Sequence, residues 1–163
     1  MLIKSFPPKA KLRHLQTLDL SKTTIKTLNR FSELTNLKEL SLSYSNIKDL
    51  AALHLPTTIV KLNLDYTRIT DIKPLSKLTE LRELSLRSTD VKDLEPLNRL
   101  KKLQHIDIRQ TDVKDASYLA GIPSLKTLSV HSDVDISAIK EIFEIRKSST
   151  KSKIMIRGKR PAC

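Results

Sequence analysis

A single cysteine, Cys163, stands at the last position of the chain, so no second thiol is there to close an intrachain disulfide framework. No run of 18 consecutive apolar residues occurs, which excludes a helical membrane span. Tryptophan is absent, and three Tyr with three Phe make up all the aromatics. Glycine is scarcer still: two in 163 residues, which fits repeated coils closed by capped turns. Met1 to Arg13 lacks the apolar stretch and small-residue cleavage site of a secretory leader. The expected setting is therefore the cytoplasm, or delivery as an effector by another route.

What the chain does have is a period. Apolar anchors return every 22 residues at Leu12, Leu34, Pro56, Leu78, Leu100 and Ile122. Further columns stay in phase: Leu15, Leu37, Ile59, Leu81, Leu103, Leu125; then Leu18, Leu40, Leu62, Leu84, Ile106, Leu128; then Leu20, Leu42, Leu64, Leu86, Ile108, Val130. No insertion breaks the register from Leu12 to Val130, and such self-similarity marks a solenoid. The x-L-x-L-x segment alternates with period two, as a half-buried strand must. Stacked at about 4.8 Å, these segments make a parallel sheet with continuous inward columns of leucine. The length suits one domain. Its core is elongated, because each repeat buries its face only against its neighbours.

One unit, Leu78 to Arg99, reads LTELRELSLRSTDVKDLEPLNR. The pattern resembles the leucine-rich repeat family in its short, bacterial, internalin-like form of 22 residues, from Leu12 to the basic tail. The resemblance implies an α/β repeat solenoid: a right-handed horseshoe with about seven parallel strands on the concave face and short 3₁₀ turns on the convex face. The departure lies in the column the family fills with Asn, here Thr23, Ser45, Thr67, Thr89, Thr111 and then Asp133. A hydroxyl offers one donor and two acceptor lone pairs. The expectation is a hydroxyl ladder tying adjacent coils together in place of an amide ladder.

The return half of each coil is too short for a full α-helix, and short 3₁₀ turns fit it. Asp49, Asp71, Asp93 and Asp115 recur there as preferred N-caps, with Pro74 and Pro96 tolerated inside the first turn. A calcium ladder is the functional reading of that column. Lys48, Lys92 and Lys114 beside the acids favour capping. Beyond Asp133 the period fails, and Ile136, Ile139, Ile142 and Phe143 recur at helical spacing behind Asp135 or Ser137 as cap. Ile154 to Ile156 would continue the Leu128 and Val130 columns after a unit of 26 residues, giving a seventh strand. The expected organisation is a partial N-terminal coil over 1–11, a leucine-rich array over 12–133, a C-terminal capping helix over 134–147, and a final strand with basic tail over 148–163.

The net charge of +12 belongs to the ends. Residues 1–13 and 146–163 are basic without a single acid, and the array between them is nearly neutral. The patch of Lys151, Lys153, Arg157, Lys159 and Arg160 suits an adaptor that binds nucleic acid or acidic surfaces through phosphate-type contacts. A solvated tail that blocks end-to-end stacking is the plainer reading of the same residues.

On the sheet face, residues 22 apart become neighbours. Glu39, Lys61 and Glu83 form an alternating row of cross-strand pairs. Tyr44 and Tyr66 fall on adjacent coils of an exposed row that begins at Lys22. With Asp65, Arg68, Arg87, Arg109 and His131 they make the candidate protein-binding surface, since interface hot spots are enriched in Tyr and Arg. Two surface tyrosines beside ordinary charge pairs are the alternative. His105 and Asp107 share a face, yet no nucleophile turn or metal-ligand spacing accompanies them, and a terminal Cys163 is a poor nucleophile. The expectation is a non-enzymatic module that presents a rigid concave surface to a protein partner, as effector, scaffold or regulatory subunit, with no metal and no cofactor.

Overall fold

The computed structural model describes residues 13–24, 31–146 and 153–157. Seven strands follow one another: β1 (Thr17–Asp19), β2 (Glu39–Ser41), β3 (Lys61–Asn63), β4 (Glu83–Ser85), β5 (His105–Asp107), β6 (Thr127–His131) and β7 (Lys153–Arg157). They form one sheet in chain order, every neighbouring pair parallel. The repeat length sets the register. Leu18 lies opposite Leu40, then Leu62, Leu84, Ile106, Leu128 and finally Ile154.

The returning half of each coil holds a 3₁₀ turn: Phe31–Glu33, Ala51–Leu53, Lys73–Lys77, Glu95–Arg99 and Ser117–Gly121. Leu53, Leu75, Leu97 and Leu119 point from these turns toward the sheet and are buried. They meet the strand leucines, so each coil closes around two apolar walls. Leu40, Leu62, Leu84, Ile106 and Leu128 are all 3% exposed or less. Leu18 in β1 is only partly covered, being in the first described strand of the stack.

The Asp column starts the turns, but from one residue ahead of the expected N-cap position, which Leu50, Ile72, Leu94 and Ala116 occupy. Asp49, Asp71, Asp93 and Asp115 each accept the backbone N–H two residues on, at 2.7–2.8 Å. This Asx geometry uses a carboxylate to start the turn. The same device begins the one described α-helix, α1 (Ser137–Arg146), where Asp135 accepts both the N–H and the hydroxyl of Ser137. Ile139 and Phe143 of α1 are buried over the end of the core, as expected of a cap. β7 then adds to β6 with the anticipated register, Val130 opposite Ile156. The N-terminal segment 1–11 lies outside the described residues.

The hydroxyl ladder is a correction. Thr23, Ser45, Thr67, Thr89 and Thr111 are all buried, but each donates to the carbonyl three residues earlier in its own coil, at 2.5–2.7 Å. A β-hydroxyl is short, and a local back-bond to i−3 is the acceptor within its reach. Coil-to-coil linkage is carried by the backbone instead, as in Leu42 N–H to Asn63 O at 2.8 Å and Leu64 N–H to Ser85 O at 2.9 Å.

A second departure concerns strand length. The strands of the array stop after three residues in β1 to β5, and the chain turns left-handed three residues past each strand end. Lys22, Tyr44, Tyr66, Ser88 and Gln110 all have φ between 55° and 58°, and none is glycine. Such a conformation costs a side-chain-bearing residue roughly 1–2 kcal/mol. Part of that is offset by an inter-coil bond from the same residues: Lys22, Tyr44, Tyr66 and Ser88 donate their N–H groups across to the next coil at 2.8–2.9 Å.

Candidate functional site

Two polar surfaces emerge from this framework, one on the strands and one along their exit rim. On the strands the outward side chains line an open trough of about 510 Å³ that runs from Thr17 to Ser129. Its contents are engaged with one another. Lys61 bridges Glu39 at 3.7 Å and Glu83 at 3.3 Å, and these two carboxylates raise its affinity for its proton. His105 Nδ1 lies 2.7 Å from Thr127 Oγ1, while Asp107 clamps Arg109, so the His105–Asp107 couple weighed from sequence is not joined. Among the described residues no group of three or more His, Cys, Asp and Glu is arranged to hold a metal ion.

The rim is built differently. Because the left-handed residue follows β1 to β5 at the same point, side chains from these successive coils are superposed at the coil spacing. In coils two and three that position is tyrosine. The Tyr44 and Tyr66 rings stack with centroids 4.2 Å apart and planes within 9°. Lys22 Nζ sits 5.8 Å over the outer face of Tyr44, and the Arg87 guanidinium 5.6 Å over that of Tyr66. Ring faces carry negative quadrupole density, so two parallel rings gain from a cation at each end. The result is a continuous four-member stack, cation–ring–ring–cation, spanning four coils. Tyr44 is 52% exposed and Tyr66 37%. Partial desolvation, with the Tyr66 hydroxyl and charge beside it, moves the Tyr44 hydroxyl above its ordinary pKa.

Beneath the stack lies a hydrogen-bonded support. Asp65 accepts from Ser85 Oγ at 2.5 Å and from the Arg87 backbone N–H at 2.9 Å. Burial disfavours its charged form and raises its pKa, against the pull of those two donors. Arg87 Nε donates to Gln110 Oε1 at 2.9 Å, and Ser88 Oγ donates to the same oxygen. That bond aims the guanidinium over Tyr66. Arg109 is held by both oxygens of Asp107, which raise its pKa further.

The sequence-derived candidates thus divide. Tyr44, Tyr66 and Arg87 come together as one exposed feature. Asp65, expected to face Arg87 as a charge pair, contacts its backbone and acts as support. Arg109 and His131 border a recess with Arg87 and Gln110, where His131 is only 8% exposed. Arg68 is exposed, one residue past the buried Thr67. Lys151, Lys159 and Arg160 lie outside the described residues, and Lys153 and Arg157 are the ends of β7. Lys22 is the member the sequence reading left out. The signal was there: it heads the same column that contains the two tyrosines.

The comparisons agree with this architecture. A two-copy leucine-rich repeat model matches residues 57–99, and a single leucine-rich repeat model matches residues 33–53. The crystal structure of internalin C2 from Listeria monocytogenes is similar with a TM-score of 0.72 and 24% identity, over 93% of this chain and 84% of that one. That of an internalin (inlF) from the same organism has a TM-score of 0.64 and 22% identity over 92% of this chain. The chain spans about half the length of that second protein, 49%. Among curated proteins, none matches the sequence. Leucine-rich repeats thus occupy residues 33–53 and 57–99, and the sheet continues their stacking into the coils on either side. The coils are stacked in the same fold as those of the two internalins.

Proposed function

We propose that the protein is a non-enzymatic protein-binding module, an effector or a scaffold or regulatory subunit. Its working surface is the exit rim around Tyr44 and Tyr66 together with the adjoining sheet face. The observation that carries this is the placement of two exposed tyrosines at left-handed backbone positions. Glycine would occupy those positions at lower cost. Neither ring covers core, so the aromatics answer to something outside the fold. Rigid, amphipathic rings are what interface hot spots use, and truncating such an anchor commonly costs at least ~2 kcal/mol of binding. A solenoid held by inter-coil backbone bonds also limits the ordering cost of association.

No helix among the described residues is long and apolar enough to cross a membrane. The setting we propose is the cytoplasm, whether of the producing cell or of one to which the protein is delivered. The competing reading, an adaptor for nucleic acid or acidic surfaces, rests on the charge of +12 and its concentration at the ends. One experiment addresses both. Proteins retained from lysate, with and without nuclease, are compared for the wild type, Tyr44→Ala/Tyr66→Ala, and a chain ending at Arg146. The module reading expects the tyrosine variant to lose the retained proteins while nuclease and truncation leave them. Loss on nuclease or truncation, with the tyrosine variant unaffected, would overturn it in favour of the basic arms.

A further inference from the structure

We propose that the stack is a docking site for an extended acidic segment of a partner protein, bearing two carboxylates about four residues apart. One carboxylate is taken by Lys22 and the other by Arg87. The inference rests on the interaction-module reading and adds the chemistry of the partner.

Tyr44 and Tyr66 cover each other's inner faces, and Lys22 and Arg87 stand over the outer ones. A planar ligand therefore has no open ring face to stack on. That counts against a nucleobase, whose sequence-tolerant binding depends on such a face. It counts equally against a sugar ring. What the stack presents is its edge: two phenol rims, the hydroxyls they carry, and a cation at each end. Ring edges are the positive part of the quadrupole. The two cations, the ring edges and the hydroxyl protons all favour negative charge.

The local acids do not cancel that preference. Asp65 is turned onto Ser85 and the Arg87 backbone, and Asp107 is occupied by Arg109. Among the described residues, neither the Lys22 ammonium nor the terminal amino groups of Arg87 are paired with a carboxylate. Nε of Arg87 is already used to fix the guanidinium against Gln110. This preorganises a planar donor whose outer edge matches a carboxylate.

Spacing then defines the ligand. Lys22 and Arg87 belong to coils one and four, three inter-strand steps apart, which at about 4.8 Å each separates them by roughly 14 Å. An extended chain advances about 3.3 Å per residue, so roughly four residues bridge the same distance. A segment laid across the coils, with acids at i and i+4, places one on each cation. The side chains between them pass over the tyrosine edges.

The test uses short synthetic peptides and the full chain, read by amide chemical shifts and by titration calorimetry at low and high salt. The probe carries two glutamates separated by three Ser or Thr residues. Its controls are the same peptide with glutamine for glutamate and a single-stranded oligothymidylate. The expected result is saturable binding of the acidic peptide, with shifts centred on residues 22, 44, 66 and 87. Arg87→Gln should weaken it about tenfold and Lys22→Gln about threefold, since solvent screens the exposed Lys22 more than the half-buried Arg87. Lys92→Gln, exposed beyond the buried Val91 and outside the stack, should leave binding unchanged, and added salt should weaken it.

Equal binding of the glutamine peptide would overturn the proposal. So would rim shifts produced by the oligonucleotide, or acidic-peptide shifts confined to the basic tail. The lysate comparison separates the levels. If the tyrosine variant loses its retained proteins while the acidic peptide is ignored, the interaction module stands and this partner chemistry falls.

Discussion

Coils two and three leave their strands through Tyr44 and Tyr66, while coils four and five leave theirs through Ser88 and Gln110. All four residues share the same left-handed backbone, with φ from 55° to 58°, and Tyr44, Tyr66 and Ser88 donate the same inter-coil hydrogen bond. The side chains do opposite things. Ser88 and Gln110 turn inward into one local network in which Gln110 Oε1 accepts from Ser88 and from Arg87. The tyrosines turn outward and stack. The fold therefore demands the turn but not the residue. A position that the scaffold leaves free is where a surface function can be written, and the aromatic pair occupies two such positions side by side.

The largest effects should come from columns that the comparison treats as pure scaffold. Leu62→Ala removes a side chain 2% exposed in the middle of the sheet column, and should lower unfolding free energy by about 2–5 kcal/mol. Denaturant titration reads this directly. Partner binding should be reduced only in proportion to the fraction unfolded. A rim substitution with a comparable stability loss would erase the distinction between scaffold and surface.

Thr67→Val comes next. It deletes the hydroxyl bound to the Leu64 carbonyl at 2.7 Å while nearly keeping the shape, so a cost of about 1–3 kcal/mol is expected. Because the bond lies within one coil, the effect should be the same for Thr89→Val, and the two should add. Strong coupling in the double variant would restore the inter-coil ladder that the hydrogen bonds exclude.

Ser88→Gly sharpens the comparison from the other side. It relieves the left-handed strain, worth roughly 1–2 kcal/mol, and gives up one hydroxyl bond to Gln110 worth about 1 kcal/mol. Stability should change little, and binding at the stack should weaken slightly as the support of Arg87 loosens. Calorimetry with the acidic peptide gives the second number.

The smallest effects concern titration. Burial holds Asp65 above the ordinary carboxylate value, so stability is favoured at low pH, where it is protonated in both states, and is lost as pH rises through its folded value. Asp65→Asn should then equal or exceed the wild type at neutral pH and surrender that margin on acidification. Asp135 behaves with the opposite sign. The Ser137 hydroxyl and N–H hold it below the ordinary value, so its contribution is present above that value and disappears as pH falls through the folded one. A melting profile of each Asn variant against pH shows the two slopes.

Much of the fold was legible because it repeats. A column such as Leu18 to Leu128 carries its own register, and the sheet pairs those residues in that order. The Asp turns and the capping helix were also visible, since capping chemistry is local. The direction of the threonine hydroxyls was not. Sequence says that a buried donor needs an acceptor, but not whether the carbonyl belongs to its own coil or to the next. The left-handed rim was hidden for a related reason: the usual flag for positive φ is glycine, and no glycine stands in that column. The tyrosines were found by their exposure on adjacent coils. Lys22 was passed over because charge alone does not reveal that its ammonium lies over a ring.

At the centre of the proposal stands a tyrosine pair that serves the surface and not the fold. Its most direct test is the thermal unfolding of Tyr44→Gly/Tyr66→Gly beside the wild type, followed by circular dichroism. Removing the stack loses ring contact, and placing glycine at two left-handed positions relieves backbone strain. The account predicts melting temperatures within about 3 °C of each other, a shift that corresponds to about 1 kcal/mol at this size. A fall of 10 °C or more, like that of a core leucine variant, would contradict it and return the tyrosines to the scaffold.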